Sequence, residues 1–345
     1  MYIQSQPQGK KVFLIDMKQE KDKVLANLTQ KWIKKYIKDW KKILFLINKK
    51  WYSSGIICQD CGFVPKCSKC DIPIAYHKDN QNNFFGICHI CNSTYQPFLS
   101  CPHCWSTNIK PYWIWTQKLQ EILKQLTNQS SLIIESSVAN SPNKLKKIEQ
   151  QIQNYQMIIG TSLLNFPPKN RKPDLIIIVN ADIGLNVPDF NANYQNFLFV
   201  YQTILHYDPK AFLIQTFHPQ AYSLKYASNL DFEWSKKEEL SYRQTMKYPP
   251  FGELAVLLYK NEIEQKLFNK INKIYQDLEY IKKQHNLEQI ELYPTPPLIY
   301  KAFGKYRYNI IIKGDKVEDF LHLAQKTINF AKEGFQIDIN PVNLI

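Results

Sequence analysis

The chain has 345 residues, a formal net charge of +14 and 44% hydrophobic residues. That length carries two or three domains with sizeable cores, and no apolar run of roughly 18 residues exists to cross a membrane. Met1 to Lys11 lacks the apolar core of a secretion signal. The basic balance favours nucleic acid or an anionic surface as partner. Only Arg171, Arg243 and Arg307 among the 44 basic residues are arginines, so part of that charge is solvated lysine.

In chain order, residues 12–17 (VFLIDM) form a short apolar run suited to a buried strand. Residues 23–41 repeat apolar side chains at three-four spacing, from Val24 and Leu28 to Tyr36 and Trp40, and predict an amphipathic helix. Residues 43–47 (ILFLI) predict a second buried strand. A cysteine-rich segment follows, and then the alternation resumes. Strands are predicted at 111–115, 131–135, 156–160, 174–180 and 211–217, with helices at 116–127, 143–155 and 190–206. Strands alternating with helices argue for a parallel sheet flanked by helices. On this reading residues 1–51 and 111–220 form one α/β domain, and residues 52–110 are an insertion in it. After Pro249-Pro250 come predicted strands at 253–259, 289–293 and 307–313, with helices at 261–284 and 316–332. They give a smaller α+β domain over 221–345.

All eight cysteines fall in four Cys-x-x-Cys pairs: Cys58/Cys61, Cys67/Cys70, Cys88/Cys91 and Cys101/Cys104. Each pair lets two thiolates grip one metal from a tight turn, and two pairs close a tetrahedral site. Four pairs therefore predict two closed structural sites, each for Zn²⁺. A disulfide framework would need an oxidising compartment, and four separate redox pairs exceed what that chemistry requires. Spacing permits nested pairing, inner with inner and outer with outer, and equally a sequential one. His77, His89 and His103 are expected at the surface or just behind the ligands, since the cysteines already fill both sites. Trp51, Tyr52, Trp105, Trp113 and Trp115 flank the segment and are expected to pack the small metal-held module.

The run ILFLINKKWYSSGIICQDCGFVPKCSKCDIPIAYH, with Asn48, Lys49, Lys50 and Tyr52 at its turn, resembles the PriA family of primosomal replication-restart helicases. The likeness continues through CPHCWSTNIK, WTQKLQEIL, IIGTS, VNADIGLNVPDF, QTFHP, YRQTMKYPPF and KAFGKYRYNIIIK, and so covers nearly the whole chain. It implies a RecA-like second helicase lobe carrying the inserted module of eight cysteines and two zinc ions, then a C-terminal domain that contacts DNA and partners. It also implies the nested metal sets: Cys58, Cys61, Cys101 and Cys104 on one zinc, and Cys67, Cys70, Cys88 and Cys91 on the other. Its implied partners are branched or single-stranded DNA, single-strand DNA-binding protein and primosome or helicase-loader proteins. It further implies a monomer in the cytoplasm, associated with the nucleoid. Lys301, Lys305, Tyr306, Arg307 and Lys313, where aromatics interleave with cations, are the candidate DNA contacts.

Departures from that family narrow the expected activity. A phosphate-cradling loop of the form G-x-x-x-x-G-K-[ST] is absent, since Gly-Lys occurs only at Gly9-Lys10 and Gly304-Lys305. No Asp-Glu dipeptide supplies an acidic box. The first helicase lobe and the family's N-terminal fork-binding domain are not matched. Ser162 to Phe166 replace a Gln-Met-x-Ala-Lys-Gly-like motif, and Thr203 to Tyr207 lack the arginines that reach the ATP γ-phosphate. The expectation is a replication-restart protein that recognises stalled or branched forks and helps reload the replicative helicase, without ATPase or helicase activity of its own. The alternatives are a helicase half completed by a partner lobe, and a zinc-ribbon nucleic-acid module with another use.

Overall fold

The computed structural model describes residues 2–5, 7–20, 23–47, 56–78, 84–111, 116–134, 150–161 and 172–344. The turn at Asn48–Tyr52, Trp113, Trp115, Arg171, most of the predicted helix 143–155 and the Ser162–Phe166 stretch lie outside the described residues. The chain divides into two compact units: residues 1–64, 98–187 and 192–236 form the first, and 65–97, 188–191 and 237–345 the second.

The strands of the first unit are β1 (Tyr2–Ser5), β2 (Lys11–Asp16), β3 (Ile43–Ile47), β4 (Ile56–Cys58), β8 (Ile109–Pro111), β9 (Ser131–Ile134), β10 (Met157–Thr161), β11 (Leu175–Ile178) and β12 (Ala211–Thr216). Seven of them form one sheet in the order β1-β2-β12-β11-β3-β10-β9. All neighbours run parallel except β1, which pairs antiparallel with β2. The central strands are apolar at every position of β3 and β11, as a parallel sheet covered on both faces requires.

Alternation along the strands fills two cores. Ile43, Phe45 and Ile47 face one with Phe13, Ile15 and Ile177, where Ile33 and Tyr36 of helix Asn27–Lys38 and Leu119 and Leu123 of helix Thr116–Thr127 cover them. Leu44 and Leu46 face the other with Val12, Leu14, Ile176 and Ile178, under Phe197, Val200 and Ile204 of helix Ala192–Tyr207. The structure is thus mixed α/β with a parallel sheet and flanking helices. The edge strand β1 was not foreseen, because YIQS offers no alternation to read. Leu224 and Ala227 of helix Tyr222–Ser228 also enter this second core. Residues 221–236, expected in the C-terminal domain, therefore belong to the first unit.

The second unit contains β5 (Ala75–Lys78), β6 (Phe84–Ile87), β7 (Thr94–Tyr95), β13 (Glu253–Asn261), β14 (Glu291–Thr295), β15 (Lys301–Ala302), β16 (Lys305–Gly314) and β17 (Gln336–Ile339). Its main sheet has the order β14-β16-β13-β17 and is antiparallel throughout, with β15 closing a hairpin onto β16. One face of the sheet buries Ala255, Leu257, Ile310 and Ile312 under helices Glu264–Gln284 and Val317–Gln325. The helix predicted to reach 332 stops at Gln325. Beyond it Thr327 and Ile328 donate back to Ala324 in a turn that sends Ile328 and Phe330 inward. The other face carries Leu254, Val256, Ile311 and Tyr293, packed with one of the cysteine groups.

Candidate metal centre

Each Cys-x-x-Cys pair folds into the same turn. The amide of the residue four places after the first cysteine donates to that cysteine's carbonyl: Gly62 to Cys58, Asp71 to Cys67, Asn92 to Cys88 and Trp105 to Cys101, at 2.8–2.9 Å. The first cysteine's own amide donates onward to the carbonyl of Phe63, Ile72, Ser93 or Ser106. This closure holds the fourth residue in the left-handed region, with φ of +79° at Gly62, +52° at Asp71, +58° at Asn92 and +61° at Trp105. Glycine, aspartate and asparagine tolerate that conformation, whereas a bulky residue there is strained. Trp105 is moreover 79% exposed, so it does not pack the module as expected.

Strand pairing then brings turns together. Cys58 ends β4 opposite Ile109 of β8, and Ser106 and Asn108 both donate to the carboxylate of Asp60. The turns of Cys58/Cys61 and Cys101/Cys104 thereby share one group, with Sγ–Sγ separations of 3.5 Å for Cys58–Cys104 and 3.6 Å for Cys61–Cys101. In the second unit β6 leads directly into Cys88, and Cys67 and Cys91 approach to 3.6 Å. Within each set of four, all sulfurs lie within 4.8 Å of one another. Disulfides need about 2.05 Å. A tetrahedron of metal–sulfur bonds of about 2.3 Å has an edge of about 3.8 Å, close to the observed spacings. Both groups can hold a metal ion: Cys58, Cys61, Cys101 and Cys104 in the first unit, Cys67, Cys70, Cys88 and Cys91 in the second. The expected insertion 52–110 is therefore shared between the two units.

Further hydrogen bonds orient the second group. The Tyr95 hydroxyl lies 3.1 Å from Cys67 Sγ and accepts from the Ser68 amide, and Ser93 Oγ lies 3.1 Å from Cys91 Sγ. In the metal-free cluster, hydrogen bonds from Cys70, Cys88 and Cys91 hold the Cys67 thiol far below its ordinary value. The same crowding, led by Cys67, drives the Cys70 thiol far upward. Four thiolates cannot coexist at this spacing without a cation, so metal entry must expel protons.

What lies behind each group differs. In the first unit Gly62 abuts Phe217, and a Cβ there would collide with the Phe217 Cβ. Phe217 is itself fixed by its amide, which donates to the fully buried Asp182 at 2.7 Å. Asp182 also accepts from Thr216 Oγ1 at 2.6 Å and lies 3.2 Å from His218 Nδ1. The NADIG and QTFHP segments thus meet on one carboxylate beneath the first metal group. In the second unit the Tyr248 hydroxyl donates to the Cys70 carbonyl at 3.1 Å, and burial pushes its pKa far up. Phe190 stacks on Tyr248 at 5.0 Å, Arg243 donates to Asn191 Oδ1 at 2.6 Å, and Asp189 accepts from the Leu344 amide at 2.7 Å. The VPDF and YRQTMKYPPF segments meet there.

Histidines behave unequally. His103 is exposed and stacks on Phe63 at 6.4 Å. His89 is 4% exposed, with Nδ1 2.7 Å from the Pro296 carbonyl, so it pins the Cys88 turn to the sheet rather than lying at the surface. The side chain of His77 lies outside the described residues.

The candidate DNA contacts are brought together only in part. Lys301 pairs with Tyr306 across the β15–β16 hairpin, and its Nζ donates to the Tyr306 hydroxyl at 2.9 Å. Lys305 sits beside it, 4.0 Å from Glu262. Phe303 and Gly304 form the tip at φ +51° and +77°, and Phe303 is 97% exposed. That aromatic was missed, although FG between KA and KY reads as a two-residue turn. Arg307 follows on β16. Lys313 lies at the far end of the same strand, with Nζ 4.5 Å from the Tyr248 ring centroid, and does not join the hairpin cluster.

Fold and site together define an α/β protein that carries two four-cysteine groups, each able to hold a metal ion. No family model matches the chain. It is similar to Replication restart protein PriA of Borreliella burgdorferi, 28% identical over 99% of this chain and 52% of the relative. It is likewise similar to the PriA of Bacillus subtilis, 27% identical over 96% and 42%, and of Thermotoga maritima, 24% identical over 96% and 45%. The chain is PriA-like over nearly its full length, and it spans about half the length of these curated relatives.

Proposed function

We propose that the chain is a DNA-binding replication-restart protein that recognises stalled or branched forks. The observation that carries this is the conjunction of eight cysteines in two closed groups with PriA likeness along 96–99% of the chain. Both groups hold Zn²⁺, because four thiolates at tetrahedral spacing suit that ion and leave no open position for chemistry. The ions are structural. They fix turns whose neighbours, rather than the metals, meet DNA or protein.

DNA affinity comes from a basic chain, with the exposed Lys301 and Lys305 beside Tyr306 and Phe303 at the hairpin as the leading contact. Single-strand DNA-binding protein and helicase-loader proteins are the partners this reading assigns, and the cytoplasm is the compartment that keeps such thiols reduced. This chain alone hydrolyses no ATP, since neither a phosphate loop nor an acidic box occurs in it and helix Ala192–Tyr207 carries no arginine.

The test is binding of a three-way forked duplex by zinc-replete and chelated protein, with zinc quantified per chain. Two zinc ions and fork binding that is lost on chelation support the reading. Equal affinity for forked and linear duplex, or robust DNA-stimulated ATP hydrolysis, overturns it.

A further inference from the structure

The second unit holds a cavity of about 360 Å³ on the face of the main sheet opposite its helices. Its floor is Val256 and Leu258 of β13. Leu258 pairs with Asn309 on one side, and Val256 pairs with Asp338 on the other, so an amide and a carboxylate flank one apolar strand. Arg307 stands two residues from Asn309 on the same face of β16, and Leu344 closes the cavity from the C-terminal segment.

Two polar atoms in this lining are buried without a partner among the described residues: Arg307 Nε and Asn309 Oδ1. Asn309 is 3% exposed. Buried polar groups are normally paired, and an orphan donor beside an orphan acceptor in a cavity is a demand for a ligand that offers both. The hairpin beyond Arg307 adds Lys301 and Lys305, and Lys260 pairs directly with Arg307 across the sheet.

We infer that this cavity takes a single unpaired guanine base of a DNA strand whose phosphates lie along those lysines. The inference rests on the DNA-binding reading above and names what part of the strand the second unit holds. A guanidinium only donates and a carboxylate only accepts. Guanine presents adjacent acceptors, O6 and N7, and adjacent donors, N1–H and the 2-amino group. Adenine turns an amino group toward the arginine instead. Thymine lacks paired donors for Asp338. Val256 and Leu258 supply an apolar platform for the base's face, and the volume is in the range of small-molecule sites, about 300–1,000 Å³.

The test uses the full zinc-loaded chain and fluorescence anisotropy with a 15-mer of deoxythymidine, and with the same strand carrying one central deoxyguanosine. The guanine-bearing strand is expected to bind about tenfold tighter, the discrimination typical of one good base contact. Inosine or 7-deazaguanine in its place removes most of that gain. Asp338→Asn and Asn309→Leu bring the ratio close to one while thymidine-strand affinity stays, and unchanged melting of both variants shows that they fold. Equal binding of the two strands by the native chain overturns the guanine site and leaves the DNA reading standing. Failure to bind either strand overturns both. Guanosine monophosphate competing as strongly as the guanine-bearing strand overturns the strand as the source of the base.

Discussion

Cys67, Cys70, Cys88 and Cys91 are all buried, whereas in the other group Cys104 is exposed and Cys61 half-buried. The local turns are alike in hydrogen bonding and in the left-handed residue that closes them. The surroundings are not. The buried group shares a core with Tyr248, Leu254, Ile311 and Leu344, so its metal also organises the second unit's sheet face. The exposed group leans on its sheet through Gly62 and Phe217, while Trp105 and Leu99 stay in solvent. A metal in the first setting is a core element, and in the second it holds a surface module.

That contrast is sharpest under metal loss. Cys88→Ser should remove one zinc and unfold the second unit, since structural zinc contributes on the order of 10–16 kcal/mol to small modules. Cys104→Ser should remove the other zinc and leave the cooperative melting of the second unit in place. Zinc content with calorimetry separates the two, and identical unfolding of both variants would erase the distinction.

Acid should expose the same order. The Cys70 thiol is driven up by Cys67 and its neighbours, so the metal-free cluster keeps protons that metal binding must release. Protons therefore compete with metal, and affinity falls as pH falls, by about tenfold per pH unit for each proton exchanged. A chromogenic chelator titrated from neutral to acid pH should draw one zinc, from the exposed group, before the second. Release that is independent of pH would contradict thiolate ligation.

Smaller effects probe what stands behind each group. Asp182→Ala strands the Thr216 hydroxyl and the Phe217 amide in a buried site, and should cost about 3 kcal/mol in urea unfolding. Tyr248→Phe keeps the ring against Phe190 but leaves the Cys70 carbonyl without its donor, at about 1–2 kcal/mol. Trp105→Gly should act in the opposite direction, stabilising by about 1 kcal/mol, because it relieves a left-handed tryptophan. Slower zinc release from the exposed group would register that gain, and faster release would show that Trp105 makes a contact worth more than its strain.

The cysteine spacing alone predicted four metal-binding turns, because the ligand geometry is local to four residues. The buried strands β3, β11 and β12 were equally legible, since a strand covered on both faces must be apolar at nearly every position. Which turns share a metal was not readable from spacing, because sequential and nested pairing cost the same chain length. The β4–β8 pairing and the β5-β6-β7 sheet settle the grouping seen here. Nor could sequence show that one group is buried and one exposed, or that Lys313 stands a strand's length from Lys301. Those are consequences of long-range packing, where residues such as Tyr248 and Cys70 meet across 178 positions of chain.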